Sequence, residues 1–491
     1  MTAVPGTARR AAAGRLASLL CFVLPAAWVT SYTLDHFYTT GAYVWDSGLF
    51  AHFSAFTDRW PMLWPDFLHR KPEEPRLTFF SIHFMPIFYP LSALHSLVAF
   101  VPPAAWFAVL QGLWSGILGL AVFMLCARPA GTALAVATAL ATAFCGPMLA
   151  TIGYPHVETA IPALLVLFFS LRDRGRPIAA WLALALCLSI REDAGLHAAS
   201  FLILLVLAQG LSRAPRQAMR GNLVAIAVCL AYSILALALQ HVVYPGQTSS
   251  LKRVFLGDPI GAHITWHLVA ERVQRVLTDW GYAVWPAVIV LVVALWRRNL
   301  VLLAGALAPM PWVALALLAV RDIGLADYYA FPLIVTIAWP TIAQPHDVFA
   351  VRLQLLVAIV SILLFVALSG PIADRAPWRT SFFADWSAVG RYETVLRDAV
   401  SRRGELGRLM LDDGVISLVP EAAGLDEWTR QWEVDRLPNP DVVIYMHGGR
   451  VWGETEKVIA ASGLTHTCRI AGTPFMVASR AGTSLCPSLG R

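Results

Sequence analysis

Three short stretches place acid, base and cation side chains at the ends of apolar segments. "YVWDSGLFAHF" (43–53) carries Asp46 and His52, "GYPHVETAIP" carries His156 and Glu158, and "SIREDAGLH" carries Arg191, Glu192 and Asp193. Two more add to the set. His83 opens "HFMPIFYPL", and "RDIGLADYY" holds Arg321, Asp322 and Asp327. A carboxylate can take the proton of an attacking hydroxyl. A guanidinium or a metal ion can stabilise charge that develops on a leaving phosphate. These residue types therefore suit group transfer from an anionic leaving group, although acid, histidine and arginine clusters also serve transporters and proton relays.

The segments that position these residues are membrane-like. Hydrophobic residues make up 58% of the 491 residues and charged ones only 14%, where soluble domains approach a quarter charged. Apolar runs of about 20 residues recur, the length of helix that spans a bilayer core. Eleven spans are expected, at roughly 16–35, 104–127, 131–151, 157–171, 178–191, 195–211, 222–243, 282–296, 299–320, 328–343 and 350–370. The run 81–102 is apolar too, but it holds Pro86, Pro90, His83 and His95. It reads as helices in the membrane interface, because such residues are tolerated in lipid only where neighbours satisfy them.

Arginines orient this arrangement. With the N-terminus inside and 81–102 not crossing, one side collects Arg128, the group Arg172, Arg174 and Arg176, the group Arg213, Arg216 and Arg220, then Arg297, Arg298 and Arg352. That side is cytoplasmic by the positive-inside rule. Lys252, Arg253, Arg272 and Arg275 fall outside, in a long loop where the rule is weak. The basic balance thus reports topology and not nucleic-acid binding. The same assignment puts Asp46, His83, His156, Glu158, Arg191, Glu192, Asp193 and Arg321 at the outer face. Asp58, Glu73 and Glu74 read as solvated loop charges.

Past about Pro371 the chain turns polar, with helix patterns near 384–403 and 454–462. Strand patterns appear at "RLMLDD", "DVVIYMHG", "HTCRI" and "PFMVAS". The expected organisation is a transmembrane domain over 1–374, with its first outward loop at 36–103, and a small α/β exoplasmic domain over 375–491. Cys21, Cys126, Cys145, Cys187 and Cys229 read as buried apolar residues. Cys468 and Cys486 could pair outside the cytoplasm.

The ordered series "WDSGLF", "HFMPIFYPL", "GYPHVETAIPALL" and "SIREDAGLH" resembles the prokaryotic membrane family known as domain of unknown function 2079, over roughly residues 30 to 210. That family is similar to the glycosyltransferase-C superfamily. The resemblance implies a polytopic α-helical enzyme of the inner (plasma) membrane. It would move a sugar from a polyprenyl-phosphate carrier to an exoplasmic lipid, glycan or protein. It implies Asp46 as catalytic base, with His83, His156, Glu158, Glu192 and Asp193 lining the site and Arg191 or Arg321 meeting the lipid phosphate. The prolines after His83 are Pro86 and Pro90, where the superfamily has an adjacent pair. A divalent cation, Mg or Mn, is left open, with Asp46, His156, Glu192 and Asp193 as candidate ligands. The rival expectation is a transporter or lipid flippase using the same residues.

Overall fold

The computed structural model describes residues 5–42, 44–57, 80, 83–213, 216–243, 251–321, 324–325, 327–368, 386–420, 439–447, 452–480 and 482–485. Asp58, Asp66, Glu73, Glu74, Asp322 and Cys486 lie outside these residues. Two compact units emerge. One gathers 1–29, 80–87 and 111–379, the other 30–79, 88–110 and 380–491.

The chain is mostly helical. In order come α1 (Pro5–Asp35), α2 (Leu49–Phe56), α3 (Phe88–Ser96), α4 (Pro103–Ala143), α5 (Gly146–Gly153), α6 (Ala160–Asp173), α7 (Pro177–Ser189), α8 (Ala194–Leu211) and α9 (Arg216–Val243). Next are α10 (Trp266–Thr278), α11 (Gly281–Trp296), α12 (Leu300–Leu307), α13 (Met310–Leu317), α14 (Phe331–Ala343) and α15 (Val348–Leu368). The remaining helices are α16 (Arg391–Ser401), the short α17 (Arg403–Leu406) and α18 (Asp413–Ile416), and α19 (Trp452–Ala461).

Among the described residues six helical stretches are long and apolar enough to cross a membrane: Ala12–Thr40, Pro103–Ala143, Ala194–Leu211, Met219–Val243, Leu300–Leu317 and Val348–Leu368. The bent pair α10–α11 would make a seventh. In α4 the backbone leaves helical geometry at Gly131 (φ 75°), two residues after Pro129, so this element is two helices joined at a kink. Among the described residues of the stretch 81–102 there is one helix, the nine-residue α3. Nine residues rise about 14 Å, half of a bilayer core.

The outer faces of the helices are greasy. Leu182 on α7 and Leu235 on α9 are 62% and 68% exposed, which suits a lipid surround. Inside, small polar groups tie helices together. Gln354 of α15 accepts a hydrogen bond from the Thr341 hydroxyl of α14 (2.6 Å) and donates to Thr142 of α4 (2.9 Å). Ser361 of α15 donates to the Tyr282 carbonyl of α11 (2.7 Å) and accepts from the Gly146 N–H (2.9 Å). Interhelical bonds of this kind stand in for the hydrophobic drive that lipid does not supply.

In the second unit the four strand-like segments form one sheet. Its strands are β1 (Leu409–Leu411), β2 (Val442–Met446), β3 (His466–Arg469) and β4 (Phe475–Ser479), in the order β1-β2-β4-β3. β1 and β2 are parallel, and the other two pairings are antiparallel. The central β2, "VVIYM", is buried along its whole length, as its unbroken apolar run demands. Met410, Val443, Tyr445 and Ala478 pack there against Val458 of α19 and Leu464 just beyond its end. Cys468 on β3 is disulfide-bonded, whereas the five cysteines in apolar segments are free thiols.

The same unit holds the segment after α1 against α16 and α18. The Tyr38 hydroxyl donates to Glu393 of α16, whose other carboxylate oxygen accepts the Gly390 N–H (2.9 Å). Ser417 donates to the Ala42 carbonyl (3.0 Å), and the Gly41 and Gly414 backbones approach closely enough to exclude a side chain between them. Burial pushes the Glu393 carboxyl up to about 7 against the lowering effect of Tyr38 and backbone N–H groups. Burial likewise pushes Asp412 up to about 6.

A carboxyl raised in the folded state stabilises it below the ordinary pKa, and that contribution fades as pH rises through the folded value. The contribution of these two carboxyls is therefore expected to be full below about pH 4 and to be lost as pH rises toward 7 to 8. The Glu393 share is on the order of 3 kcal/mol. Melting of the detergent-solubilised protein across that range checks it, and Glu393→Gln should flatten the slope.

Candidate functional site

The first unit brings together three stretches that are far apart in the chain. Pro155 keeps Tyr154 out of helical backbone (φ −133°, ψ 81°), and His156 is extended (φ −140°, ψ 151°). A single 3-10 turn, Val157–Thr159, then carries Glu158 into the N-terminus of α6. The break between α7 and α8 carries Arg191, Glu192 and Asp193, with Asp193 as the N-cap residue of α8. Both carboxylate-bearing turns therefore sit at the positive ends of helix dipoles. The third stretch is 83–87, tied to the end of α7 by the Ile87 N–H on the Ser189 carbonyl (2.9 Å).

Arg191 is the hub. Its Nη1 donates to Glu158 Oε1 (2.5 Å), its Nη2 donates to Asp193 Oδ2 (2.9 Å), and its Nε lies 3.7 Å from Glu192 Oε1. His83 Nδ1 sits 3.0 Å from that same Glu192 oxygen, while the Phe84 N–H donates to Glu192 Oε2 (2.9 Å). The second oxygen of Glu158 meets His156 Nδ1. His197, one turn into α8, lies 3.6 Å from Asp193 Oδ2. Glu158 is wholly buried, and His156, Arg191 and Glu192 nearly so.

Three carboxylates thus share one guanidinium, with a histidine beside each of them. Burial works against the charge on Asp193. Arg191, together with His197 and His83, outweighs it and holds that carboxyl well below the usual range.

An aromatic wall flanks the charges. Tyr328 stacks face to face on His156, with centroids 3.7 Å apart and planes 7° off parallel, and Tyr154 lies 5.9 Å from Tyr328. The Tyr328 hydroxyl donates to that of Tyr329 (2.8 Å), and Trp312 of α13 donates through Nε1 to the Tyr329 carbonyl (2.8 Å). Trp312 and Phe331 each meet the His197 ring edge-on at 4.8 Å. The two tyrosines come directly after Asp327, whose left-handed backbone (φ 51°) starts the short turn into α14.

Of the residues expected at the site, His83, His156, Glu158, Arg191, Glu192 and Asp193 form this one constellation. Arg321 is exposed, and its backbone N–H donates to the Val254 carbonyl (3.1 Å). Asp46 belongs to the second unit, in the single helical turn Val44–Gly48 ahead of α2, and is half-buried. Ser417 packs directly against Gly48 there, leaving no room for a Cβ.

His197, Tyr328, Tyr329 and Trp312 were not singled out by sequence. His197 had a legible signal, its four-residue spacing from Asp193 on one helix face. The tyrosines had none beyond standing next to Asp327. Among the described residues no three or more His, Cys, Asp or Glu side chains are gathered as a metal site. No protein-family model matches the chain, and no curated protein matches it.

Proposed function

We propose that the chain is a membrane glycosyltransferase of the glycosyltransferase-C type, related to the family known as domain of unknown function 2079. It would move a sugar from a polyprenyl-phosphate carrier to an exoplasmic acceptor. The observation that carries this reading is the meeting of Glu158, Arg191, Glu192, Asp193, His83 and His156 inside an apolar helical bundle. Buried ionisable groups at such depth are costly and mark function. The full reading has about eleven spans, a cytoplasmic N-terminus in the inner membrane and an exoplasmic α/β domain over 375–491.

In this scheme Asp46 takes the proton of the acceptor hydroxyl. The hydroxyl oxygen bonds to the anomeric carbon, and the bond from that carbon to the phosphate oxygen breaks, its electron pair leaving with the lipid phosphate. Arg191 already donates to two carboxylates, so Arg321 is the better candidate to meet the departing phosphate. The partly exposed Tyr328 and Tyr329 offer aromatic surface against which a sugar ring can pack.

Asp46→Asn is expected to lower transfer by roughly 100-fold or more while leaving the protein folded in the membrane. Release of free polyprenyl phosphate in proteoliposomes measures it, and wild-type activity in the variant would remove Asp46 from the role. One observation favours a second reading, a proton-coupled transporter or flippase. Glu158 is fully buried against His156, a pairing suited to carrying protons. Substrate counterflow without release of polyprenyl phosphate would support that alternative.

A further inference from the structure

The helix α10, "WHLVAERVQRVLT", lies outside the site described above and is strongly two-faced. Trp266, Ala270, Val273 and Leu277 recur at i, i+4, i+7 and i+11, the spacing of a single helix face. Along that face Trp266, Val273 and Leu277 are 83%, 54% and 52% exposed. His267, Glu271, Gln274 and Thr278 occupy the neighbouring polar arc, about 100° round the helix. The helix is firmly built despite its exposure. Thr265 caps it by accepting the Leu268 N–H (3.2 Å), and Arg272 is buried against the protein.

The connection from α10 to α11 decides what the bare face meets. After two residues the chain enters α11 at a bend of 84°. α11 is apolar throughout and exposes Trp285 in its second turn and Val292, Leu295 and Trp296 toward its end. Its 16 residues rise about 24 Å, most of a bilayer core. With α11 crossing the bilayer, the bend lays α10 nearly in the membrane plane. The elbow is fixed. Arg275 stacks over the Trp280 ring at 4.4 Å, and Trp280 is buried so tightly on Gly324 (φ 52°) that a Cβ there would overlap the indole.

We infer that α10 is an in-plane helix that seats on the lipid surface, with Trp266, Ala270, Val273 and Leu277 at the boundary of headgroups and acyl chains. A tryptophan at the leading end and a polar arc facing water are what that boundary selects. The elbow also gives this contact a route inward, since Trp280 packs on Gly324 in the same connection that carries Tyr328 and Tyr329.

The test uses full-length protein in phosphatidylcholine bilayers, spin-labelled one site at a time through Val273→Cys, Leu277→Cys, Gln274→Cys or Thr278→Cys. The five native free thiols are buried, which keeps background labelling low. Labels at 273 and 277 should be relaxed by oxygen, which concentrates in lipid, and shielded from a water-soluble nickel chelate. Labels at 274 and 278 should show the reverse. Equal nickel accessibility at all four sites would overturn the inference, because the face would then be in water. So would labels at 273 and 277 that are shielded from both reagents, because a second protein surface would then cover them. Neither readout depends on transferase activity.

Discussion

Arg191→Gln should destabilise the protein by roughly 3 to 5 kcal/mol, the cost of stranding buried charge without its partner. The arginine bonds Glu158 and Asp193 directly and lies within ion-pair distance of Glu192. Glu158 has no exposure through which water could replace the lost donors. Removing the one guanidinium leaves three carboxylates facing one another across a few ångströms, and protonation is their main relief. Thermal melting in detergent should therefore show a large loss at neutral pH that narrows as the pH is lowered.

Arg191→Lys should recover only part of the loss, since one ammonium cannot reproduce the fork that spans Glu158 and Asp193. Adding Glu158→Gln to Arg191→Gln should restore much of the stability, because the double variant removes the most deeply stranded charge. Arg352→Gln, at an exposed position on α15, is the control. A melting loss for Arg191→Gln no larger than that of the control would show that the cluster does not depend on its arginine.

Gly195→Ala should be the second large loss. A Cβ at this position of α8 would lie 2.2 Å from the Cys229 carbonyl oxygen of α9 and 2.7 Å from Ser233 Oγ. The first obstacle is helix backbone, so α8 and α9 would have to part by roughly 1 Å, and overpacking of that kind costs about 1 to 3 kcal/mol. The better helix propensity of alanine, worth up to about 1 kcal/mol, does not offset it. Glycine permits close approach where lipid gives helices no hydrophobic reason to associate.

The position also stands two residues after Asp193, so any shift in the start of α8 should loosen the Arg191 cluster as well. Gly210 on the same helix has open space around its Cα. Gly210→Ala should leave melting unchanged or raise it slightly. Equal behaviour of the two variants would show that α8 and α9 are not in contact at Gly195.

Much of the local structure was legible in one dimension. The four strands fall on the four segments whose patterns announced them, α19 matches its expected stretch to within two residues, and α16 occupies the later part of the stretch 384–403. Hydropathy marked the long apolar helices, although the eleven expected spans resolve into six long apolar stretches and several helices of 13 to 16 residues. Two of the shorter ones, α6 and α7, arise where Pro155, Pro177 and the Arg191–Asp193 break shorten a run that composition alone would continue. His83, Glu158 and Glu192 were visible as ionisable residues at the ends of apolar segments. Arg191 was visible too, but as a cation for an anionic ligand, whereas its donors go to carboxylates of the chain itself.

The difference between what was legible and what was not is one of range. Helix, strand and lipid exposure depend on residues within a few positions of one another, so periodicity and composition determined them for this protein. Partnership in the site does not. Glu192 meets His83 across 109 residues and Arg191 meets Glu158 across 33, while His156 stacks on a tyrosine from a turn after α13. No local pattern encodes such distances, because packing of whole helices brings the stretches together. Only the tertiary structure could decide that three carboxylates, three histidines and two tyrosines surround a single arginine.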